Sequence, residues 1–219
     1  MKQWRITDQW NFSGLNLEDA EVPAPGPGEV LLAMKAVSLN YRDALMVNRG
    51  YGAMSGELPL VPLSDGLGEV VALGEGVENI ELGSRRLPCF NQLWQDGDQQ
   101  DYTWAGTLGG PLDGTARQFM CARADATVPV PTHLSDEEGA SLGCAAITAW
   151  NALGEMPAAV DGGGIVVTQG TGGVSLFALQ MAKARGATVI ATSTGDEKLE
   201  RLTAMGADHV INYRENPDW

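Results

Sequence analysis

The stretch GIVVTQGTGGVSLFALQMAKARGATVIATS, residues 164–193, constrains the fold of this chain more than any other. An apolar, β-branched run, Gly164–Gln169, leads into the turn Gly170-Thr171-Gly172-Gly173-Val174-Ser175. Helical spacing follows from about Gly173 to Arg185 and is stopped by Gly186, and Ala187–Ser193 is a second apolar run. DEKLERLTAM (Asp196–Met205), closed by Gly206, predicts a short helix, and HVINY (His209–Tyr213) a third strand. Continuous β-branched runs alternating with amphipathic helices predict βαβαβ with a buried parallel sheet.

In that setting the turn carries chemistry. Gly170 permits the tight turn, and Gly172 lets backbone approach a pyrophosphate. Thr171 lies in the same cradle, and the amides that follow, from Gly173 and Val174, would face the anion at the helix start. Ser175 replaces the third glycine of G-x-G-x-x-G and still permits close helix–strand packing. The alternative is a turn that needs positive φ and nothing else. The end of the second strand bears on which nucleotide. An NAD site places Asp or Glu there to accept from ribose hydroxyls, whereas this chain has Ser193 and Thr194, with Lys198 nearby and Tyr213-Arg214 after the third strand. The missing carboxylate removes repulsion of a 2′-phosphate, so NADP(H) is favoured over NAD(H). Taken alone, Lys198 reads equally well as a solvated helix lysine.

The first 130 residues have another character. Strand-like runs at Gln3–Ile6, Glu29–Ala36, Gly68–Ala72 and Arg117–Ala122 are bounded by Gly, Pro, Asn or Asp, which predicts an irregular all-β domain. The polar, aperiodic stretch Asn91–Gly110 predicts a long surface loop of the kind that borders functional sites. Past Pro131, Ser135 and Glu138 have the spacing of a capping box ahead of ASLGCAAITAWNAL, with Pro157 and the run Asp161–Gly164 as stops.

Composition excludes several classes. The chain carries 28 acidic and 14 basic side chains in 219 residues, net −14, which disfavours nucleic acid and anionic membrane as partners. No apolar run approaches the ~20 residues that span a bilayer. The start, MKQWRITDQW, lacks the apolar stretch of a signal peptide, which predicts a cytoplasmic protein. The three cysteines, Cys89, Cys121 and Cys144, are far apart and predict reduced thiols. With only His133 and His209 and no C-x-x-C pair, the ligands for a catalytic or structural zinc are lacking. There is no G-x-S-x-G elbow for nucleophilic catalysis either.

As a whole the chain resembles the medium-chain dehydrogenase/reductase superfamily, and within it the zinc-free, quinone-oxidoreductase-like or zinc-type alcohol dehydrogenase-like branch. The resemblance lies in PAPGPGEVLLAMKAVSLNYRDALM (Pro23–Met46), LPLVPLSDGLGEVVALGEGV (Leu58–Val77), GCAAITAWNAL (Gly143–Leu153), Val166–Ser193 and INYRENPDW (Ile211–Trp219), in family order. It implies a GroES-like catalytic domain over 1–130, then the first βαβαβ half of a Rossmann fold over 131–219, with hydride transfer between a nicotinamide cofactor and a small molecule in the cleft between the domains. Zinc-containing relatives place ligands in segments matching Leu39–Arg42, Ser64-Asp65-Gly66 and Cys144; the first has no cysteine here and the second no histidine.

The resemblance further implies that Asn40, Tyr41 and Asp43 face nicotinamide and substrate, that Thr148 packs against the nicotinamide, and that Ser193, Lys198 and Tyr213 hold the 2′-phosphate. For Asn40 and Asp43 the competing reading is turn chemistry at a strand end. The expected reaction is zinc-independent hydride transfer between NADPH and a quinone, enone, aldehyde or alcohol substrate. Stopping after one βαβαβ half, the chain reads as a fragment whose strand Gly164–Gln169 becomes an open edge, with homodimers expected only of a longer chain. A non-catalytic nucleotide-binding or interaction module is the alternative.

Overall fold

The computed structural model describes all residues except 95, 99, 100, 155–159 and 162, and no side chains for 101–103. The expected helix stop at Pro157 lies outside the described residues. The chain forms two compact units, Met1–Cys144 and Ala145–Trp219.

In the first unit, β1 (Lys2–Ile6) and β2 (Leu15–Asp19) form an antiparallel pair. A five-stranded antiparallel sheet is built from β3 (Glu29–Ser38), β4 (Asp65–Leu73), β5 (Arg85–Pro88), β6 (Phe119–Arg123) and β7 (Thr127–Pro129), in the order β6-β3-β4-β5-β7. Alternation puts Val30, Leu32, Val70, Met120 and Ala122 into one core. Gly68 lies opposite Met34, and a Cβ there would come within 2.8 Å of Leu32 Cβ, so close strand packing requires glycine at this point.

Between β3 and β4, helix α1 (Tyr41–Val47) begins at the end of β3. The capping box predicted at Ser135 is present: its hydroxyl accepts the Glu138 N–H, and Glu138 accepts the Ser135 N–H, starting α2 (Asp136–Ala140). Ala140 joins Leu67, Leu87 and Val130 in a second core cluster, so residues 131–144 pack with the β-rich unit. The change in sequence character at Pro131 and the division by packing therefore fall at different places. What reads as one helix after Ser135 is three pieces, since a π-helical turn, Leu142–Ala146, separates α2 from α3 (Ile147–Gly154).

The second unit has the expected pattern: β8 (Ile165–Gln169), α4 (Gly173–Ala184), β9 (Thr188–Ser193), α5 (Asp196–Ala204) and β10 (His209–Asn212). The three strands are parallel in the order β10-β9-β8. Leu179, Ala182, Val189, Ala191 and Leu202 form its core. Strand β8 is an edge of this sheet, and Ile165 and Val167 are 63% and 51% exposed.

The stretch 91–110 departs from a plain surface loop. Asn91 bridges to Thr107, a 3-10 turn runs Asp101–Gly106, and Gln92, Thr107 and Leu108 are buried. Gln92 Nε2 donates to the carbonyls of Cys89 and Ala126 at 2.8 and 3.2 Å, so a single polar side chain ties the loop's start to the sheet. No helix among the described residues is long and apolar enough to cross a membrane.

Candidate active site

In the first unit the site begins where β3 gives way to α1. Asn40 is the N-cap and Asp43 the third helical residue; Asp43 Oδ2 accepts the Asn40 N–H at 2.7 Å. The first turn faces two ways. Tyr41 projects outward, 82% exposed, while Arg42 and Asp43 are buried. Arg42 NH1 donates to the Leu108 carbonyl at 3.1 Å and lies 3.7 Å from Asp43 Oδ1, and its guanidinium sits over the Phe90 ring at 4.7 Å. A buried arginine is thus compensated by a carbonyl, a carboxylate and a ring face. Burial raises the Asp43 pKa, against the lowering effect of the Asn40 amide and of Arg42.

The Asn40 side chain reaches away from its own helix. Its Nδ2 donates to Asp65 Oδ2 at 3.0 Å. Asp65 opens β4, is 1% exposed, and accepts the Cys144 N–H on the same oxygen at 3.0 Å, with Ser64 Oγ 3.4 Å from Oδ1. Burial pushes its carboxyl up to about 6, with the Asp43 charge adding and the three donors opposing. The Cys144 thiol is pushed up to about 11 by burial and by Asp65, which leaves it protonated and a poor nucleophile near neutrality. All three cysteines carry thiols.

Of the residues singled out in the sequence, Asn40 and Asp43 meet at one helix start with Tyr41 beside them. The alternative of turn chemistry describes the capping box between Asn40 and Asp43; in addition, the Asn40 amide spans 25 residues to Asp65. Sequence reasoning missed Asp65 and Arg42 as members of this site. The signals for Asp65 were an acidic residue inside an otherwise apolar strand start, LSDGLG, and its place in the segment that matches a ligand position of zinc-containing relatives.

The second unit gathers the other candidates at the carboxyl ends of its parallel strands. Gly170 follows β8 with φ +77 and donates its N–H to Thr192 O at 2.8 Å. Gly172 is the N-cap of α4, and a Cβ on either Gly170 or Gly172 would meet nothing within 4 Å. The space above the turn is therefore open, and backbone lines it. Ser175 Oγ donates to Gln169 O at 2.7 Å, closing the turn from the helix side. Gly173 serves packing as well, since a Cβ there would stand 3.1 Å from Ala145 Cβ. Thr171 lies between the two glycines, and Val174 is exposed in the first turn of α4. Ser193 ends β9, pairs with Asn212 of β10, and accepts the Tyr213 N–H at 3.3 Å. The structure thus brings Gly170, Ser193 and Tyr213 to one edge. The Ser193 side chain is buried there, Tyr213 is exposed, and Lys198 is exposed in the first turn of α5. Thr148 is exposed on α3, away from that edge in sequence.

Two family models match this chain: residues 26–132 match the alcohol dehydrogenase GroES-like domain, and residues 173–219 the zinc-binding dehydrogenase family. A zinc-type alcohol dehydrogenase-like protein of Schizosaccharomyces pombe is 46% identical over 210 residues, 95% of this chain and 60% of that protein. The chain belongs to the medium-chain dehydrogenase/reductase superfamily. It is also 30% identical to the chloroplastic quinone-oxidoreductase QR1 of Triphysaria versicolor, over 92% of this chain and 57% of that one. Among solved structures, an NAD-dependent alcohol dehydrogenase superposes with a TM-score of 0.87 at 32% identity, covering all of this chain and 65% of the other. The chain spans about 60% of the length of these two curated relatives.

The superfamily implies two groups, a nicotinamide dinucleotide and a metal. A dinucleotide fits the second unit, where an open cradle lined by glycine backbone stands at a helix start. A metal does not fit the first: Asn40, Asp65 and Cys144 converge, but both Asp65 oxygens face internal donors. Among the described residues no three His, Cys, Asp or Glu side chains come together as a metal site.

Proposed function

We propose that this protein is an NADP(H)-dependent, zinc-independent oxidoreductase acting on an activated C=O or C=C, with quinones and enones as the substrate class and aldehydes as the nearest extension. The observation that carries the reading is the pairing of an open glycine cradle after β8 with a β9 that ends in Ser193, followed by Thr194, instead of a carboxylate. A terminal carboxylate would accept from ribose hydroxyls and repel a 2′-phosphate; a strand ending in hydroxyls has no charge to repel it and can donate to it. Gly170, Thr171, Gly172, Gly173 and Val174 bind the pyrophosphate through backbone, and Ser193, Lys198 and Tyr213 form the 2′-phosphate side. Thr148 is assigned to contact with the nicotinamide. The cofactor, when bound, supplies the hydride.

In the first unit Asn40 and Tyr41 are the substrate-side groups. The Asn40 amide keeps a second N–H after its bond to Asp65, and the exposed Tyr41 hydroxyl is a donor without steric cover. Either polarises a carbonyl oxygen as negative charge builds on it, the task a metal would otherwise perform. Asp43 holds the start of α1, fixing the backbone that carries both donors. Zinc independence is supported by the donor set around Asp65, which is already hydrogen-bonded. The thiol state of all three cysteines supports a reducing, cytoplasmic setting.

The test is NADPH oxidation followed at 340 nm with an ortho-quinone and with an enone, with and without a chelator. Turnover that prefers NADPH and survives chelation is the expected result. Turnover lost on chelation overturns zinc independence, and absence of any turnover or nucleotide binding favours a non-catalytic module.

A further inference from the structure

Asp65 is the buried polar group that the reading above leaves without a role in the reaction. Its side chain collects donors from three separated stretches: Asn40 Nδ2 at 3.0 Å, the Cys144 N–H at 3.0 Å, and Ser64 Oγ at 3.4 Å. A carboxylate oxygen accepts only, so the atom of Asn40 that meets it is the amide nitrogen. Half a turn of the carboxamide would set oxygen against oxygen in a buried place. One Nδ2–H is therefore committed to Asp65, and the other is left to donate.

Asp65 is itself fixed. Thr115 Oγ1 donates to its main-chain oxygen at 2.8 Å. Residue 143 is glycine, and a Cβ there would stand 2.9 Å from Asp65 Oδ1. The carboxylate thus fills a slot closed by β4, the end of β3 and the π-helical turn, with a single group of the candidate site hanging from it.

We propose that Asp65 is a positioning residue: it fixes the Asn40 carboxamide so that its second Nδ2–H, and not Oδ1, is offered to a substrate oxygen. The catalytic half of this rests on the oxidoreductase reading; the anchoring of Asn40 does not.

The test uses the full 219-residue chain and reads the Asn40 side-chain NH2 by 15N NMR, assigned against N40A, alongside steady-state kinetics. In the parent protein one Asn40 amide proton is shifted downfield and protected from exchange with water. D65N keeps an acceptor oxygen in the same place, so the signature weakens but persists, and kcat stays within about tenfold. D65A collapses the signature to that of a solvated carboxamide and lowers kcat on the order of 100-fold with little change in KM, the scale of a misplaced catalytic group. In an N40A background, D65N has no further effect on kcat, because the two act as one unit.

An Asn40 signature unchanged in D65A overturns the proposal. So does D65N as inactive as D65A with the Asn40 signature intact, since the charge of Asp65 would then be acting directly. Should D65A not fold, the N40A background decides: D65N lowering kcat there as much as in the parent overturns it. A persistent signature in a chain that turns over no acceptor overturns the oxidoreductase reading and leaves the anchoring of Asn40 by Asp65 standing.

Discussion

The two units hold their candidate residues by opposite means. In the first, the site is a knot about one carboxylate: Asn40, Ser64 and the Cys144 backbone amide all donate to Asp65, with Arg42 held separately by Leu108 and Phe90. In the second, the site is backbone with side chains left out, and the space over Gly170 and Gly172 is open. A knot is sensitive to charge and volume. A cradle is insensitive to both as far as folding goes, but any added atom intrudes on what it binds.

The largest effect that would sharpen this contrast is in pH. Asp65 has a folded pKa of about 6 against an ordinary 3.8, raised chiefly by burial. The folded state therefore holds this proton to higher pH than the unfolded chain does. The stabilising contribution of the neutral carboxyl is complete below the unfolded value and is lost as pH rises through about 6. The shift corresponds to about 3 kcal/mol, and Asp43, also raised by burial, acts in the same direction. D65N flattens this slope, which urea titrations of both proteins between pH 4 and pH 8 would measure. Equal slopes in the two proteins would show that Asp65 is not the desolvated group the knot requires.

Next in size is Gly143→Ala, which drives a methyl to 2.9 Å from Asp65 Oδ1. Overpacking of this kind costs about 1–3 kcal/mol, and the loss should shrink in a D65A background, where the obstructing carboxylate is gone. Gly170→Ala comes third. With φ +77 and open space around it, the penalty is conformational alone, about 1–2 kcal/mol by thermal denaturation. The smallest effect on folding belongs to Gly172→Ala. This N-cap has φ −75 and nothing within 4 Å of a new Cβ, so stability changes by less than about 0.5 kcal/mol, while nucleotide binding weakens. A large loss of stability there, or unchanged binding, would break the contrast.

These two kinds of site also differ in how far they could be read beforehand. The second unit was legible because its signals are local: Val166, Val167 and the run 188–193 are continuous and β-branched, and Gly186 and Gly206 stop helices where their N–H groups turn back to Lys183 and Thr203. In the first unit β1, β3, β4 and β6 were legible from bounded apolar runs. Strands β2 and β5 were not: in LNLED and RRLP at least half of the side chains are polar, and each is a strand only through antiparallel pairing. Asn40 could be singled out, but its partner Asp65, and the Cys144 amide that Asp65 also accepts, are set by tertiary contact, which no spacing encodes. The same holds for Leu108, which receives Arg42 from within a stretch that looks like plain loop.

The claim on which the rest depends is that the glycine cradle and the acid-free end of β9 select NADP(H). Equilibrium titration of the 219-residue chain with NADPH and with NADH, repeated on Gly172→Val, tests it most directly. The account predicts NADPH binding at least about tenfold tighter than NADH, a preference of some 1.4 kcal/mol, with both weakened in Gly172→Val while the fold is retained. Equal affinities, or binding indifferent to a side chain at position 172, would contradict it.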